Sequence, residues 1–120
     1  MIDHVILNVS DLTASRRFYI AALTPMGYEV IWDLPEWLGL GPSGTAEFWV
    51  ADRKPTHTAV HVSFACDDVD TVAAFHEAGV GAGGLDNGAP GVREHYGPEY
   101  FCAFVLDPDG NNIEAVCRCG

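Results

Sequence analysis

Two histidines and two glutamates have the residue types and the spacing of a metal site. The four residues are His4, Glu47, His61 and Glu114. Imidazole nitrogens and carboxylate oxygens together bind divalent first-row metals such as Ni, Co, Zn, Mn or Fe, and they leave positions open for water or a substrate. The pattern predicts a divalent metal ion as cofactor, provided that the fold brings the four side chains to one centre.

A repeat in the chain gives a reason for such convergence. The stretch around His4 returns 57 positions later, so that His61 matches His4 and Phe75 matches Phe18. Each copy carries one His on its first strand and one Glu on its last. Two copies of this size are marginal alone, so they are expected to share a core. If they pack as pseudo-twofold copies, the His and Glu residues can meet at one centre.

Hydrophobic periodicity places these residues on strands. Alternation of two faces predicts strands at 2–9, 28–32, 34–40, 45–51, 58–65, 100–106 and 112–117. Helices are predicted after Asp11 and after Asp67 or Asp68, because an aspartate accepts hydrogen bonds from the free amides of a first turn. The fold class is α+β: a single domain, 1–120, of two βαβββ modules at about 1–52 and 58–120, joined by a linker at 53–57.

A turn-rich segment at 86–91 lies in the longer second copy and leads to polar and aromatic side chains. We predict that this loop contacts a small-molecule substrate. The predicted contacts are Arg93, His95, Tyr96 and Tyr100, with Trp49 from the first copy. The alternative is a solvated loop that merely closes a sheet edge, with the aromatic residues belonging to the core.

Two other motifs receive structural interpretations. Asp107, Asp109 and Asn111 begin like a calcium loop, but the sixth position, which needs glycine, is Asn112, so a tight hairpin turn is predicted. The four cysteines lack the spacing of a zinc or redox pair, and reduced thiols are expected.

Composition excludes several classes of partner. Seventeen acidic residues against six basic ones give a net charge of -11, which repels nucleic acid and anionic membrane surfaces. No apolar run approaches the roughly 20 residues that cross a bilayer, and no signal sequence is evident. A soluble, cytoplasmic protein is predicted, without nucleic-acid or membrane partners.

Each predicted ligand also has a simpler explanation. A single histidine on a strand is more often a half-buried side chain than a ligand, and a single glutamate on a strand usually faces solvent. Glu114 fits this explanation least, because Ile113 and Ala115 flank it in an apolar strand, where an unpaired carboxylate is costly.

The chain resembles the vicinal oxygen chelate superfamily, which contains glyoxalases, bleomycin resistance proteins and extradiol dioxygenases. The motifs that carry the resemblance span nearly the whole chain, at 3–5, 8–12, 18–19, 61–64 and 75–76, with the most specific at 104–114, FVLDPDGNNIE.

The resemblance implies an open, cup-shaped mixed sheet, often in a homodimer, with a metal in the cup. It places His4, Glu47, His61 and Glu114 on the four metal-binding positions of glyoxalase I. It also implies chelation of adjacent substrate oxygens in a lyase or isomerase reaction, with Glu114 or Glu47 as the base.

Two alternatives remain open. An extradiol-type dioxygenase would hold Fe(II) with two His and one Glu. A bleomycin-resistance-like protein would bind a small molecule without metal or catalysis. A glutathione substrate is disfavoured by the scarcity of basic residues near the predicted pocket.

Overall fold

The computed structural model describes residues 1–119 and contains two modules of the predicted kind. The first module has one helix and four strands. Its elements are β1 (Val5–Val9), α1 (Leu12–Leu23), a 3-10 turn (Thr24–Met26), β2 (Glu29–Leu34), β3 (Trp37–Gly41) and β4 (Phe48–Asp52).

The second module repeats this order. Its elements are β5 (His61–Ala65), α2 (Val69–Gly81), β6 (Leu85–Val92), a 3-10 turn (Glu94–Tyr96), β7 (Phe101–Leu106) and β8 (Asn112–Cys117). The predicted α+β class with two βαβββ modules is confirmed.

Both helices begin at an aspartate, as predicted. The Asp11 carboxylate accepts a hydrogen bond from the Ala14 amide at 3.2 Å, and the Asp68 carboxylate accepts one from the Thr71 amide at 2.7 Å. These caps satisfy amides that have no partner inside the helix. The bond to Thr71 is the main reason why the pKa of Asp68 lies below its ordinary value.

Each module forms its own four-stranded mixed sheet. The strand orders are β1-β4-β3-β2 and β5-β8-β7-β6, so β1 and β5 are edge strands. The first strand of each module runs parallel to the last, and the other neighbours are antiparallel. The parallel pairs place Val5 opposite Phe48 and Val62 opposite Ile113.

The expectation of a loop at 86–91 was wrong. This segment belongs to β6, which pairs with β7 through shifts of register near Gly88 and Gly91. A side-chain carbon on Gly88 would lie 2.7 Å from the Phe104 ring, so glycine allows the strand to approach β7 here. The residues that read as a turn in the sequence lie at shifts of register within a strand.

The two modules share one core between their sheets. The helices α1 and α2 pack against each other. Phe48 of β4 contacts Tyr19 of α1 and Phe64 of β5, with ring centroids 5.0 and 5.3 Å apart. Because the helices cover one face of each sheet, the residues that alternate away from the core lie on the opposite face.

The turn after β7 is held in place by hydrogen bonds to the Asp107 carboxylate. Asp107 is 3% exposed, and its carboxylate accepts bonds from the Tyr19 hydroxyl at 2.5 Å and from the Asn111 amide at 2.8 Å. Burial, and then the charge of Asp107, raises the pKa of Tyr19 well above its ordinary value. The predicted turn is confirmed, and it ties the second module to α1.

One expectation about the cysteines is corrected. Cys117 and Cys119 form a disulfide, whereas Cys66 and Cys102 are free thiols. Their Cα atoms are 5.3 Å apart, within the range for a disulfide, and Cys119 lies just beyond the end of β8. Within residues 1–119, neither helix has the length and apolar character to span a bilayer.

Candidate active site

His61 and Glu114 form the centre of the candidate site, on neighbouring strands β5 and β8. His61 Nε2 lies 3.0 Å from Glu114 Oε1. Glu114 is 2% exposed, whereas half of the His61 side-chain surface is exposed. A buried carboxylate therefore meets solvent only beside an accessible imidazole.

Tyr100 holds the second oxygen of Glu114. Its hydroxyl donates a hydrogen bond to Glu114 Oε2 at 2.5 Å. Loss of hydration, followed by the hydrogen bond and charge of Glu114, raises the pKa of Tyr100 to about 12. The phenol therefore stays protonated, and remains a donor, throughout the physiological pH range.

Both nitrogens of the His61 ring face oxygen atoms. Nδ1 lies 3.0 Å from the carbonyl oxygen of Asn112, which can only accept, so a proton on Nδ1 would be hydrogen-bonded to it. In that neutral tautomer, the lone pair of Nε2 faces a carboxylate oxygen. A proton or a metal cation between Nε2 and Oε1 removes this repulsion. The space between His61 Nε2 and Glu114 Oε1 therefore favours a positively charged ion.

A cleft of about 430 Å³ opens beside this pair. Tyr96 stacks against Tyr100 with ring centroids 5.2 Å apart and forms part of the cleft wall. The lining residues are His61, Asn87, Tyr96, Tyr100, Phe104, Asn112 and Glu114. Tyr96 and Tyr100 therefore line a cleft, and their contact with a substrate stays a prediction.

The other predicted contacts lie outside this lining. Arg93 donates to the carbonyl oxygen of Ala89 at 2.8 Å, and its guanidinium carbon lies 5.7 Å from the Phe104 ring centroid. His95 stacks on Tyr96 with centroids 4.1 Å apart. Both residues contact aromatic rings that line the cleft. Trp49 lies on β4 of the first module.

The first-module pair, His4 and Glu47, lies apart from this cleft. His4 Nδ1 is 2.6 Å from the carboxylate of Asp3, and Glu47 accepts a hydrogen bond from the Tyr28 hydroxyl. Glu47 lines a second cleft, of about 420 Å³, together with Asp3 and Tyr28. Among residues 1–119, no three His, Cys, Asp or Glu side chains are grouped closely enough to hold a metal.

Strand register changes the correspondence between the two modules. Val5 pairs with Phe48, and its counterpart Val62 pairs with Ile113. The next residue on each last strand is then Trp49 in the first module and Glu114 in the second. Glu47 instead corresponds to Asn112. The position that holds a carboxylate in the second module therefore holds an indole in the first.

The donor chemistry of His61 and Glu114 suits a first-row metal. Bonds of about 2.1 Å at right angles place two ligand atoms about 3 Å apart, which matches the Nε2 to Oε1 separation. The described part of the chain supplies two such donors at this point. A complete metal site needs at least one further ligand.

Sequence reasoning missed several cleft residues. Asn112 had a usable signal, because it precedes Glu114 by two positions on a strand and so shares its face. Asn87 had none, since its segment reads as a turn. Arg118, which was also missed, lies outside the cleft lining, and its guanidinium carbon is 4.9 Å from the Tyr100 ring centroid.

Comparisons with known proteins agree with this architecture. A sequence model described as the Glyoxalase/Bleomycin resistance protein/Dioxygenase superfamily matches residues 1–115. Among solved structures, the chain is similar to a glyoxalase/bleomycin resistance protein from Albidiferax ferrireducens, with 27% identity and a TM-score of 0.81 over 96% of each chain. A comparison with curated protein sequences gave no match.

Two further similar structures have names that state an activity. One is a lactoylglutathione lyase from Agrobacterium tumefaciens, with 19% identity and a TM-score of 0.67 over 98% of this chain and 92% of that one. The other is a glyoxalase I mutant from Zea mays, with 24% identity and a TM-score of 0.71 over 96% of this chain and 46% of that one. At these identities the likeness concerns the fold alone.

Proposed function

The chain belongs to the Glyoxalase/Bleomycin resistance protein/Dioxygenase superfamily, and from this premise we propose that it is a metal-dependent enzyme acting on a small molecule with two adjacent oxygen atoms. The observation that carries the proposal is the His61–Glu114 pair, in which two good metal ligands lie 3.0 Å apart at the edge of a cleft. A divalent metal bound there would act as a Lewis acid on the substrate oxygens.

The proposed ligands are His61 and Glu114 of one chain and His4 of a second copy. Since Trp49 stands at the counterpart of Glu114, the first module offers a histidine but no carboxylate at the equivalent positions. Two histidines and one carboxylate form the facial triad of non-haem Fe(II) oxygenases, so this set favours the dioxygenase alternative over a four-ligand lyase or isomerase. Glu47 as a fourth ligand or base stays a prediction.

A homodimer is part of the proposal. His4 directly precedes β1, and His61 is the first residue of β5. Both strands lie at sheet edges, and edge strands readily pair with another chain. A twofold axis that sets β1 of one copy beside β5 of the other would bring His4 towards His61 twice, once at each site.

Glu114 is the proposed proton acceptor. Tyr100 holds Oε2, so Oε1 would be the oxygen that accepts a proton from a bound molecule once it leaves the metal. The burial of Glu114 keeps competing water away from this oxygen. Asn87 and Asn112 supply neutral hydrogen-bonding groups in the same cleft.

The cleft favours a substrate other than a glutathione conjugate. Among the described residues, those that line it include no arginine or lysine, and the net charge of the chain is -11. Carboxylates of a peptide substrate would find no partner of opposite charge in that lining. A compact molecule with few negative charges fits better.

The test is an activity screen on metal-free protein reloaded with each ion in turn. Ring opening of a catechol with Fe(II) and dioxygen, in which both oxygen atoms of O2 enter the product, or isomerisation of a hydroxy-carbonyl compound with Ni, Co or Zn, is the expected outcome, and Glu114→Gln should abolish it. His76→Gln is the control, because His76 bonds to exposed Asp86 away from the cleft. Absence of both activities with every ion would contradict the proposal.

One observation favours a second candidate, a metal-free binding protein. Both oxygens of Glu114 already have partners within the chain, and aromatic rings wall the cleft. Under this alternative, Glu114→Gln leaves the affinity for an aromatic ligand nearly unchanged. Calorimetry of metal-free protein with and without this substitution separates the two candidates.

A further inference from the structure

The second cleft, of about 420 Å³, lies at the junction of the two modules. Val5 and Phe48 of the first module line one side of it, and residues 62–65 of β5 line the other. Phe48 also contacts Tyr19 of α1, so this cleft lies on the side of the first sheet that carries the core. All its walls come from one chain, and in the described part of that chain it shares no lining residue with the candidate active site.

Apolar side chains form most of the wall of the second cleft. Phe48 and Phe64 are only 2% and 7% exposed, so the base of the cleft is continuous with the hydrophobic core. The Tyr28 ring meets Phe64 edge to face, with centroids 5.5 Å apart. Concave, largely apolar sites of this volume typically bind small organic molecules.

A fixed carboxylate, that of Glu47, lies in this apolar wall. The Glu47 amide donates to the Leu40 carbonyl oxygen, and its own carbonyl oxygen accepts from the Val5 amide, both at 2.9 Å. The Tyr28 hydroxyl donates to Oε1, and the hydrogen bonds within residues 1–119 leave Oε2 free. Burial, followed by the hydrogen bond to Glu47, raises the pKa of Tyr28 well above its ordinary value, so the phenol remains a donor.

The charge of the wall is one-sided. Asp3 is the other charged residue that lines the second cleft, and the described lining contains no arginine, lysine or histidine. A carboxylate beside apolar groups loses part of its hydration, and a bound cation offsets that loss. The net charge of -11 also attracts cations to the protein.

The edge of β5 adds backbone acceptors to the same cleft. The Cys66 amide donates to the Val116 carbonyl oxygen of β8 at 2.7 Å. Alternate residues of an edge strand bond to its one neighbour, so Ser63 and Ala65 turn their backbone groups towards the open edge. Both residues are exposed and line the second cleft. Their carbonyl oxygens can accept hydrogen bonds from a ligand.

We propose that the second cleft binds a small organic ammonium ion with an apolar body, of the primary alkylamine class. The ammonium group has three N–H donors and no acceptor, which matches Glu47 Oε2 and the free carbonyl oxygens of β5. The carbon chain covers the apolar wall formed by Phe48 and Phe64. The site is separate from the proposed reaction, since it uses neither His61 nor Glu114.

The test compares three probes that share a six-carbon chain: hexylamine, which is a cation at neutral pH, neutral 1-hexanol and anionic hexanoate. Each is titrated into isotope-labelled full-length protein and followed by NMR. Hexylamine should bind about tenfold more tightly than 1-hexanol, the effect of one hydrogen bond to a charged group, and hexanoate most weakly. The amide signals of residues 62–65 should shift.

Variants locate the effect. Glu47→Gln keeps an oxygen for Tyr28 and removes the charge, so hexylamine and 1-hexanol should bind about equally. Glu77→Gln is the control, because it makes the same change of net charge at an exposed position on α2 outside the cleft. Ala65→Phe, also at an exposed position, fills the cleft and should weaken the binding of both probes.

Equal affinity of the wild type for hexylamine and 1-hexanol, or a preference that survives in Glu47→Gln, would overturn the inference. So would a wild-type dimer that Ala65→Phe dissociates and that binds no hexylamine, because a second copy would then occupy the cleft. Glu47→Gln should keep any bound metal, and loss of metal would overturn the inference by making Glu47 a metal ligand. Absence of metal from the wild type would instead contradict only the proposed enzyme.

Discussion

The Glu114 carboxylate is almost fully buried, and each of its oxygens has one polar partner. An unpaired charge at this depth would cost several kcal/mol, so the hydrogen bond from Tyr100 stabilises a group that the core alone would reject. Tyr100 also fixes the orientation of the carboxylate. Substitution of a residue that orients a metal ligand typically lowers the metal affinity by a factor of about 10 to 100.

We predict that Tyr100→Phe weakens metal binding about tenfold and leaves the fold intact. The substitution keeps the ring and removes the donor to Oε2. Tyr96→Phe is the matched control, since Tyr96 lines the same cleft and contacts Tyr100 through its ring. The substitution keeps that ring contact. Equal metal affinity in the two variants would refute the role of the hydroxyl.

Cys66 gives a prediction about pH. Burial raises the pKa of Cys66 to about 11, from an ordinary value near 9. The thiolate is the reactive form, so alkylation at pH 8 should be roughly 100-fold slower than for an unfolded chain and should rise until about pH 11. Because the unfolded thiol ionises first, the contribution of Cys66 to stability is present below pH 9 and is lost as the pH rises to about 11. Rapid alkylation of Cys66 at pH 8, followed by mass spectrometry, would contradict this.

Individual residues differ in how well the sequence predicts them. His61 and Glu114 follow from the repeat and the strand period, and the structure brings them together. Glu47 depends on counting through a segment in which the copies differ by ten residues. Only the register of β4 against β1 reveals that Trp49, two positions later, matches Glu114.

The turn between β7 and β8 connects several elements through one carboxylate. Asp107 accepts hydrogen bonds from Tyr19 on α1, from Asn111 and from the Asp109 amide. Asn111 in turn donates to the carbonyl oxygen of His57 in the linker and accepts from the Val60 amide. This network fixes the start of β8, and with it the position of Asn112 and Glu114.

We predict that Asp107→Ala lowers the free energy of unfolding by about 3 kcal/mol, because buried donors lose their acceptor. Urea denaturation measures the change. Asp86→Ala is the control: Asp86 is exposed and bonds to His76 at the surface, so its effect should be much smaller. A loss no greater than that of the control would show that the network does not stabilise the fold.

Elements with regular periodicity are predictable from the sequence, whereas β6 is not. The helices follow from their aspartate caps and apolar faces, and β7 and β8 from their alternation. The sequence of β6, LDNGAPGV, has the composition of a turn. Its strand conformation results from pairing with β7, and a contact between distant segments leaves no local signal.

At the scale of the whole molecule, the fold separates the two halves of the predicted site. Each module has its own sheet, and each sheet exposes its first strand at an edge. The sequence identifies the duplication but does not determine whether the halves meet within a chain or between chains. That choice depends on assembly, which no local pattern encodes.

Mixing two inactive variants tests assembly. In a dimer that shares ligands, His4→Ala and His61→Ala chains together form one intact site per mixed dimer, so about one quarter of all sites should recover after exchange of subunits. Ligands taken from one chain would give no recovery, because each chain lacks one of them. Metal content and activity of the mixture measure the outcome.

The most direct measurement is the metal content of protein purified without a metal-affinity tag, by plasma mass spectrometry. We predict about one first-row metal ion per chain, lost in His61→Ala and in Glu114→Gln, and retained in His76→Gln, whose histidine lies outside the cleft. No bound metal, even after each ion is added in turn, would contradict the account and leave a ligand-binding protein in its place.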